Sequence, residues 1–163
     1  YFTIAGKTFD EARILASELF VTVAPTQTFS RHECDVLHRF MEQGGTVLLA
    51  TGWEERAAAL PLLNMAGIKI KGVPLGQIDG AGVPRRQQPK FFEAWAVEGG
   101  ETRITAREKQ VVVEKTFGGK GRLIVIADRQ FLLNKNIEIE AGGIIRNINA
   151  LSWLLEEKKR EKE

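Results

Sequence analysis

Residues 19–53, LFVTVAPTQTFSRHECDVLHRFMEQGGTVLLATGW, change hydrophobic rhythm twice, from a short apolar run to a helical stripe and back. Residues 19–24 are apolar and β-branched and stop at Pro25; residues 46–50 form a second such run, stopped by Thr51-Gly52. Continuous apolar runs of this length are the pattern of strands covered on both faces, so both are expected as buried strands. Between them, Ser30 and Glu33 have capping-box spacing: the serine oxygen accepts from the third helical N–H and the glutamate reaches back to the cap. Val36, Leu37, Phe40 and Met41 make one apolar stripe, and Gly44-Gly45 ends the helix. A strand, helix, strand unit of this kind predicts parallel strands, a right-handed crossover and a helix-covered sheet.

The rest of the chain hangs on that unit. Thr8 and Glu11 repeat the capping spacing ahead of a first helix, with Phe9, Ala12, Leu15, Ala16 and Leu19 on one side. Residues 1–5 are expected as the remnant of a preceding strand. Residues 54–65 read as a third helix that packs through Ala57, Ala58, Leu60 and Leu63, with Pro61 late enough to split it. Gly67 closes it, and residues 68–73 alternate apolar and basic side chains like a strand nearer an edge. Residues 76–90, GQIDGAGVPRRQQPK, break every periodicity and are expected as a surface loop. Three β-patterned runs follow, 91–97, 103–107 and 110–117, separated by Gly99-Gly100 and by Glu108-Lys109, which predicts an antiparallel meander. Residues 122–127, RLIVIA, are the most apolar run and so the expected centre of the sheet. A last helix over 143–157 turns Ile144, Ile148, Leu151 and Leu155 inward and ends in the solvated tail EEKKREKE.

The fold class expected is therefore α/β, with a central parallel sheet of residues 19–24, 46–50, 68–73 and 122–127. Helices cover both faces, and residues 91–117 add an antiparallel β extension.

Composition narrows the function classes. A chain of 163 residues buries roughly 70% of its unfolded surface around one core and needs no staple. No stretch approaches the roughly 20 apolar residues of a membrane span. The 23 basic and 21 acidic residues nearly cancel, which gives no general drive toward nucleic acid. A single cysteine, Cys34, excludes an internal disulfide and a thiolate-rich zinc site. The chain opens at Tyr1 without a methionine and reads as a soluble piece of a longer protein, so a targeting or membrane segment can lie outside it and localisation stays open.

The runs APTQTFS, RFMEQGGTVLLATG, GKGRLIVIADRQFLLN and NINALSWLL together resemble the class I glutamine amidotransferase-like superfamily. The resemblance is to the non-enzymatic branch found in prokaryotic membrane-associated proteins and in gliding-motility and transport accessory domains, and it spans about residues 19–155. It implies a flavodoxin-like three-layer α/β sandwich within a larger protein, one that a membrane anchor can hold. Catalytic members of the superfamily carry a nucleophilic cysteine on an elbow after a strand and a late His-x-Glu pair. Here the elbow position holds Thr51-Gly52-Trp53, the last strand is followed by Asp128-Arg129-Gln130, and no histidine follows His38. Without an imidazole no thiol or hydroxyl there has its usual general base.

Each reactive side chain has a structural reading beside the chemical one. Cys34 shares the apolar stripe with Leu37 and Met41 and reads first as an inert core thiol. His32 and His38 are six residues apart, on different helix faces, and cannot chelate one metal. Asp128 follows an apolar strand, where open α/β folds place ligands, or it caps the turn at Arg129. Asn147 lies on the inward stripe of the last helix and is expected to tie it to a strand-end backbone. Arg85 and Arg86 sit in the loop without aromatic neighbours, a solvated pair rather than a nucleic-acid motif. Gly118-Gly119-Lys120-Gly121 precedes a strand, whereas a phosphate loop follows one.

Two functions remain. One is a non-catalytic binding or scaffolding domain, with no cofactor and no metal, whose partners are other proteins or the rest of its own chain. The alternative is a hydrolase or transferase with a degenerate site built on Thr51 and Asp128. Either way a ligand is expected at the strand carboxyl ends, around Pro25, Thr26, Thr51, Gly52 and Asp128.

Overall fold

The computed structural model describes residues 8–141 and 144–160, without the side chains of residues 144 and 157–160. The expected strand at residues 1–5 lies outside them. The chain runs α1 (Glu11–Leu15), β1 (Leu19–Val23), α2 (Arg31–Glu42), β2 (Thr46–Ala50), α3 (Arg56–Ala66) and β3 (Lys69–Asp79). After a 3₁₀ turn at Arg85–Gln87 come β4 (Lys90–Glu98), β5 (Glu101–Ala106), β6 (Lys109–Phe117) and β7 (Gly121–Ile126). A short α4 (Asn134–Ile137), the strand pair β8 (Glu140–Ala141) and β9 (Ile144–Ile145), and α5 (Arg146–Arg160) complete it.

The main sheet has the order β1-β2-β7-β6-β5. It is parallel across β1, β2 and β7 and antiparallel from β7 through β6 to β5. This is the flavodoxin-like three-layer sandwich that the resemblance implies, with the parallel sheet and antiparallel extension that the pattern predicts. The crossover at its heart forms as its residues dictate. Ser30 Oγ accepts from the Glu33 N–H at 3.2 Å, and the Ser30 N–H donates to the Glu33 carboxylate at 2.7 Å. Cys34, Leu37, Phe40 and Met41 are buried against Val47, Leu49, Leu123 and Val125 of the sheet, and Val36 is buried as well. On the opposite face Ala150 and Leu154 of α5 cover Leu48, Ile124 and Ile126. Every residue of β7 is buried, as expected of the central strand.

Residues 68–73 do not join the main sheet. From Lys69 on they open β3, which pairs antiparallel with β4 in a separate two-stranded ribbon, with register shifts around Pro74 and Gly76. A strand with Lys69, Lys71, Gly72 and Pro74 cannot occupy a position hydrogen-bonded and buried on both sides, because proline lacks the N–H and the lysines lack a buried partner. The places beside β2 go to β1 and β7, whose side chains are apolar apart from Thr22 and from Arg122, a buried cation that has a buried partner in Glu114 at 3.1 Å. For the same reason the antiparallel extension consists of β5 and β6 alone, β4 having left with β3. The expected loop at 76–90 is shorter than predicted, since β3 continues to Asp79.

Four further expectations shift. β1 is an edge strand with Leu19, Val21 and Val23 exposed, not a buried one; among the described residues it has β2 as its only neighbour. α1 is capped two residues later than expected, by Asp10 in place of Thr8, with the Asp10 carboxylate accepting from the Arg13 N–H, and it buries Ile14. α3 contains Pro61 without breaking, and it exposes Leu60 while burying Ala58, Ala59, Leu62, Leu63 and Ala66. α5 begins at Arg146, with Asn147, Ala150 and Leu154 inward and Ile148 outward. Its rotation is set by polar anchors: Asn147 Oδ1 accepts from the Lys90 N–H and its Nδ2 donates to the Lys90 carbonyl, while Arg146 donates to the carbonyls of Gln88 and Pro89. The expected tie from Asn147 to a strand-end backbone is this pair of bonds.

Candidate functional site

The three parallel strands end level with one another, because Val23 lies beside Ala50 and Ala50 beside Ile126. Residues 24–26, 51–52 and 127–128 therefore gather at one end of the sheet. Pro25 is half-buried there and Thr26 exposed, while Thr51, Gly52 and Asp128 are buried. The turn that carries Pro25 leaves β1 through Ala24 at φ +41°, a left-handed conformation that costs a residue with a Cβ about 1–3 kcal/mol.

The β3–β4 ribbon crosses over this end. The Trp95 N–H donates to the carbonyl of Ala127 at 2.8 Å. Asp128 Oδ2 accepts from the backbone N–H groups of Phe92 at 2.6 Å and Glu93 at 3.1 Å, and Oδ1 accepts from the Gln130 N–H at 2.8 Å. The last bond is the turn cap expected of Asp128. The first two are a longer-range duty that holds the ribbon against the sheet. Burial, helped by the charge of Glu93, holds the Asp128 carboxyl above its ordinary value against the pull of those three N–H groups.

Around Asp128 runs a charged chain. Arg129 Nε donates to Glu93 Oε2 at 2.6 Å, and its Nη1 pairs with Glu55 at the start of α3. Gln130 Nε2 donates to the same Glu93 carboxylate at 3.1 Å. Partial burial raises the Glu93 carboxyl, but the hydrogen bonds from Arg129 and Gln130 and the charge of Arg129 outweigh it and leave it below its ordinary value. Gly52 lies under this chain. A Cβ on it would stand 2.8 Å from Glu55 Oε2 and 3.3 Å from Trp95 Nε1, so no larger residue fits without moving them. Thr51 Oγ1 is buried beside it with no hydrogen-bond partner among the described residues.

Sequence reasoning named Thr51, Gly52 and Asp128 but missed Glu55, Glu93, Trp95 and Arg129. Arg129 had a local signal, since it follows Asp128 at the strand end. Glu93 and Trp95 had none, because only the tertiary course of β4 brings them here. The other candidates lie elsewhere. Cys34 is buried on the inner face of α2, while His32 and His38 of that helix face Glu11 of α1 and Glu42 of α2 respectively. Arg85 and Arg86 are exposed on the 3₁₀ turn. Among the described residues no group of three His, Cys, Asp or Glu side chains could hold a metal ion, and no helix is long and apolar enough to cross a membrane.

No protein-family model matches the sequence, and no curated protein sequence matches it. Solved structures do match the fold. The mmIFT52 N-terminal domain superposes with a TM-score of 0.68 at 14% identity, over 90% of this chain and 79% of that one. A GH42 β-galactosidase, Gan42B, matches with a TM-score of 0.57 at 14% identity, over 90% of this chain but 22% of the enzyme. The cytoplasmic protein STM3548 from Salmonella typhimurium matches with a TM-score of 0.55 at 11% identity, over 77% of this chain and 70% of its own. At such identities the likeness is one of fold.

Proposed function

We propose that this chain is a non-catalytic binding or scaffolding domain of a larger, membrane-associated prokaryotic protein, and that its ligand or protein partner meets it at the strand carboxyl ends around Pro25, Thr26, Thr51, Gly52 and Asp128. The observation that carries the reading is the use made of Asp128. Its carboxylate oxygens accept from three backbone N–H groups, and the neighbouring Arg129 is held between Glu55 and Glu93. The charged groups nearest the crevice are thus occupied in fastening the ribbon, where a general base would need a free lone pair facing substrate. The fold also serves as one part of longer chains, as its 22% share of the galactosidase illustrates. A crevice outside the strand ends belongs to the topology and persists without chemistry.

The competing hydrolase or transferase reading draws on Thr51 Oγ1, buried and unpartnered near Asp128. Glutaminase and peptidase assays of the chain and of Asp128→Asn separate the two. Rates equal to buffer in both are expected, and turnover that Asp128→Asn abolishes would overturn the non-catalytic reading. Titrating the ¹⁵N-labelled chain with the remainder of its own protein is expected to shift the amides of Thr26, Gly52 and Trp53. Shifts confined to β5, at the far edge of the sheet, would overturn the location.

A further inference from the structure

Helix α3 and the first residues of β3 run side by side and leave an open cleft of about 350 Å³. Its strand-side wall consists of residues 68–72 in unbroken succession. Successive side chains of a strand point to opposite faces, so a wall that includes every residue is the edge of the strand and not one of its faces. The Ile68 N–H, just before β3, donates to the Leu63 carbonyl at 3.0 Å; from Lys69 on that edge is open among the described residues, since β3 is paired with β4 along its other side and the two form a sheet of their own. An unpaired edge presents a row of N–H and C=O groups to whatever lies alongside. On the helix side Leu60, Leu63 and Trp53 make the cleft apolar, and Leu60 is 42% exposed in it. Trp53 is fixed in place by two neighbours. A Cβ on Gly72 would come within 3.1 Å of the indole, and the Arg56 guanidinium stacks 3.2 Å from the ring centroid.

The charge on the cleft has one sign. Arg56, Lys69 and Lys71 line it and no lining residue is acidic, although Lys71 reaches over the ribbon to Glu98 at 3.1 Å and Arg56 donates to the Trp53 carbonyl. We propose that the cleft receives an extended acidic segment of a partner protein as an added strand on β3. Its alternate apolar side chains seat against Leu60, Leu63 and Trp53, and its carboxylates meet Arg56 and Lys69 and share Lys71 with Glu98. Main-chain pairing supplies affinity in this mode of recognition, and the pockets for alternate side chains supply specificity. The volume is at the small end of the range that holds a ligand, enough for a few side chains. A flat anionic membrane would share the charge preference, yet it could not satisfy the backbone groups of an open strand edge set back in a cleft. The proposal rests on the binding-domain reading and names the partner's chemistry at a face next to the strand ends.

The test uses a synthetic peptide of alternating Glu and Val, its Lys-for-Glu counterpart, and the Glu–Val peptide with alternate backbone nitrogens methylated. The readout is the amide shifts of the ¹⁵N-labelled chain and the Trp53 indole N–H. Saturable shifts at residues 68–72 and Trp53 are expected with the Glu–Val peptide. The Lys peptide and the methylated peptide are each expected to bind at least tenfold more weakly. Both Leu60→Glu and the double variant Lys69→Glu, Lys71→Glu alter exposed or rim positions and are expected to weaken binding tenfold or more at unchanged circular dichroism. No saturable shift, equal binding of the Lys peptide, or unaffected binding in the variants overturns the proposal. So does binding to anionic phosphatidylglycerol vesicles in place of the peptide. Peptide shifts clustered at Thr26 and Gly52 overturn it too, while leaving the binding-domain reading in force.

Discussion

Asp128 holds Phe92: its Oδ2 lies 2.6 Å from the Phe92 backbone nitrogen, across 36 positions of sequence. With the bonds to Glu93 and Gln130, one carboxylate fastens the β3–β4 ribbon to the end of β7. Asp128→Ala leaves those N–H groups without their acceptor, and each buried unsatisfied group costs about 1–3 kcal/mol, less where water reaches it. A total loss of about 2–4 kcal/mol is expected by urea unfolding. Asp128→Asn keeps one accepting oxygen and should cost less. A midpoint for Asp128→Ala equal to that of the parent chain would show that the ribbon is held by other means.

Asp128 and Glu93 predict opposite pH dependences. The folded state holds the Asp128 proton more tightly than the unfolded state does, so its contribution is present below the ordinary value of 3.8 and is lost as pH rises through the raised folded value. Glu93 is depressed in the fold. Its contribution is present above the ordinary value of 4.5 and is lost as pH falls through the lowered one. Stability of the parent chain relative to Asp128→Asn should therefore decline as pH rises from 3.8, and relative to Glu93→Gln it should decline as pH falls from 4.5. Parallel curves for either pair would contradict the corresponding assignment.

The sequence made the β1–α2–β2 unit legible because its signals are local: a capping box, one apolar stripe and a Gly-Gly stop within a single stretch. The all-apolar run of β7 likewise marked the sheet centre. The course of β3 was not legible, since alternation in residues 68–73 identifies a strand without identifying its partner. α3 is apolar on most of its circumference, so periodicity could not say that Leu60 faces outward. At the candidate site, Asp128 could be placed at a strand end, but its bonds to Phe92 and Glu93 depend on a ribbon that no local pattern foretells.

The turn between β5 and β6 is a two-residue loop, Arg107-Glu108, with Ala106 paired to Lys109. Both loop residues have positive φ, +47° and +62°, the signature of a type I′ turn. Asn-Gly is the favoured pair at these positions, and arginine and glutamate each carry a steric penalty there. Replacing them through Arg107→Asn and Glu108→Gly is expected to raise stability by about 1 kcal/mol. Thermal unfolding checks this, and a lowered midpoint would contradict the turn assignment.

Cys34 should be slow to react. Burial pushes its thiol above its ordinary value, and the charges of Asp35 and Glu33 push it the same way, so little thiolate exists near neutral pH. Labelling by a maleimide in native buffer is expected to be many times slower than in urea. Fast stoichiometric labelling without unfolding would restore a nucleophilic role.

Ala24 links strain to the candidate site. It sits at φ +41°, its N–H donates to the Ala50 carbonyl at 2.8 Å, and it directs Pro25 and Thr26 across the strand ends. Being followed by proline narrows its choices further. Glycine adopts this conformation without a Cβ penalty but gives up more freedom on folding, about 0.5–1 kcal/mol. Against a strain of about 1–3 kcal/mol, Ala24→Gly is expected to stabilise the fold by about 0.5–1 kcal/mol. If the turn is held strained to present Pro25 and Thr26 to a partner, the same substitution should weaken binding of the remainder of its own protein while raising the unfolding midpoint. Strain kept at a binding surface against stability is the pattern of a functional site. Unfolding and titration of the one variant decide it: a higher midpoint with unchanged affinity would strip the turn of its binding role, and a lower midpoint would show that Ala24 is not strained.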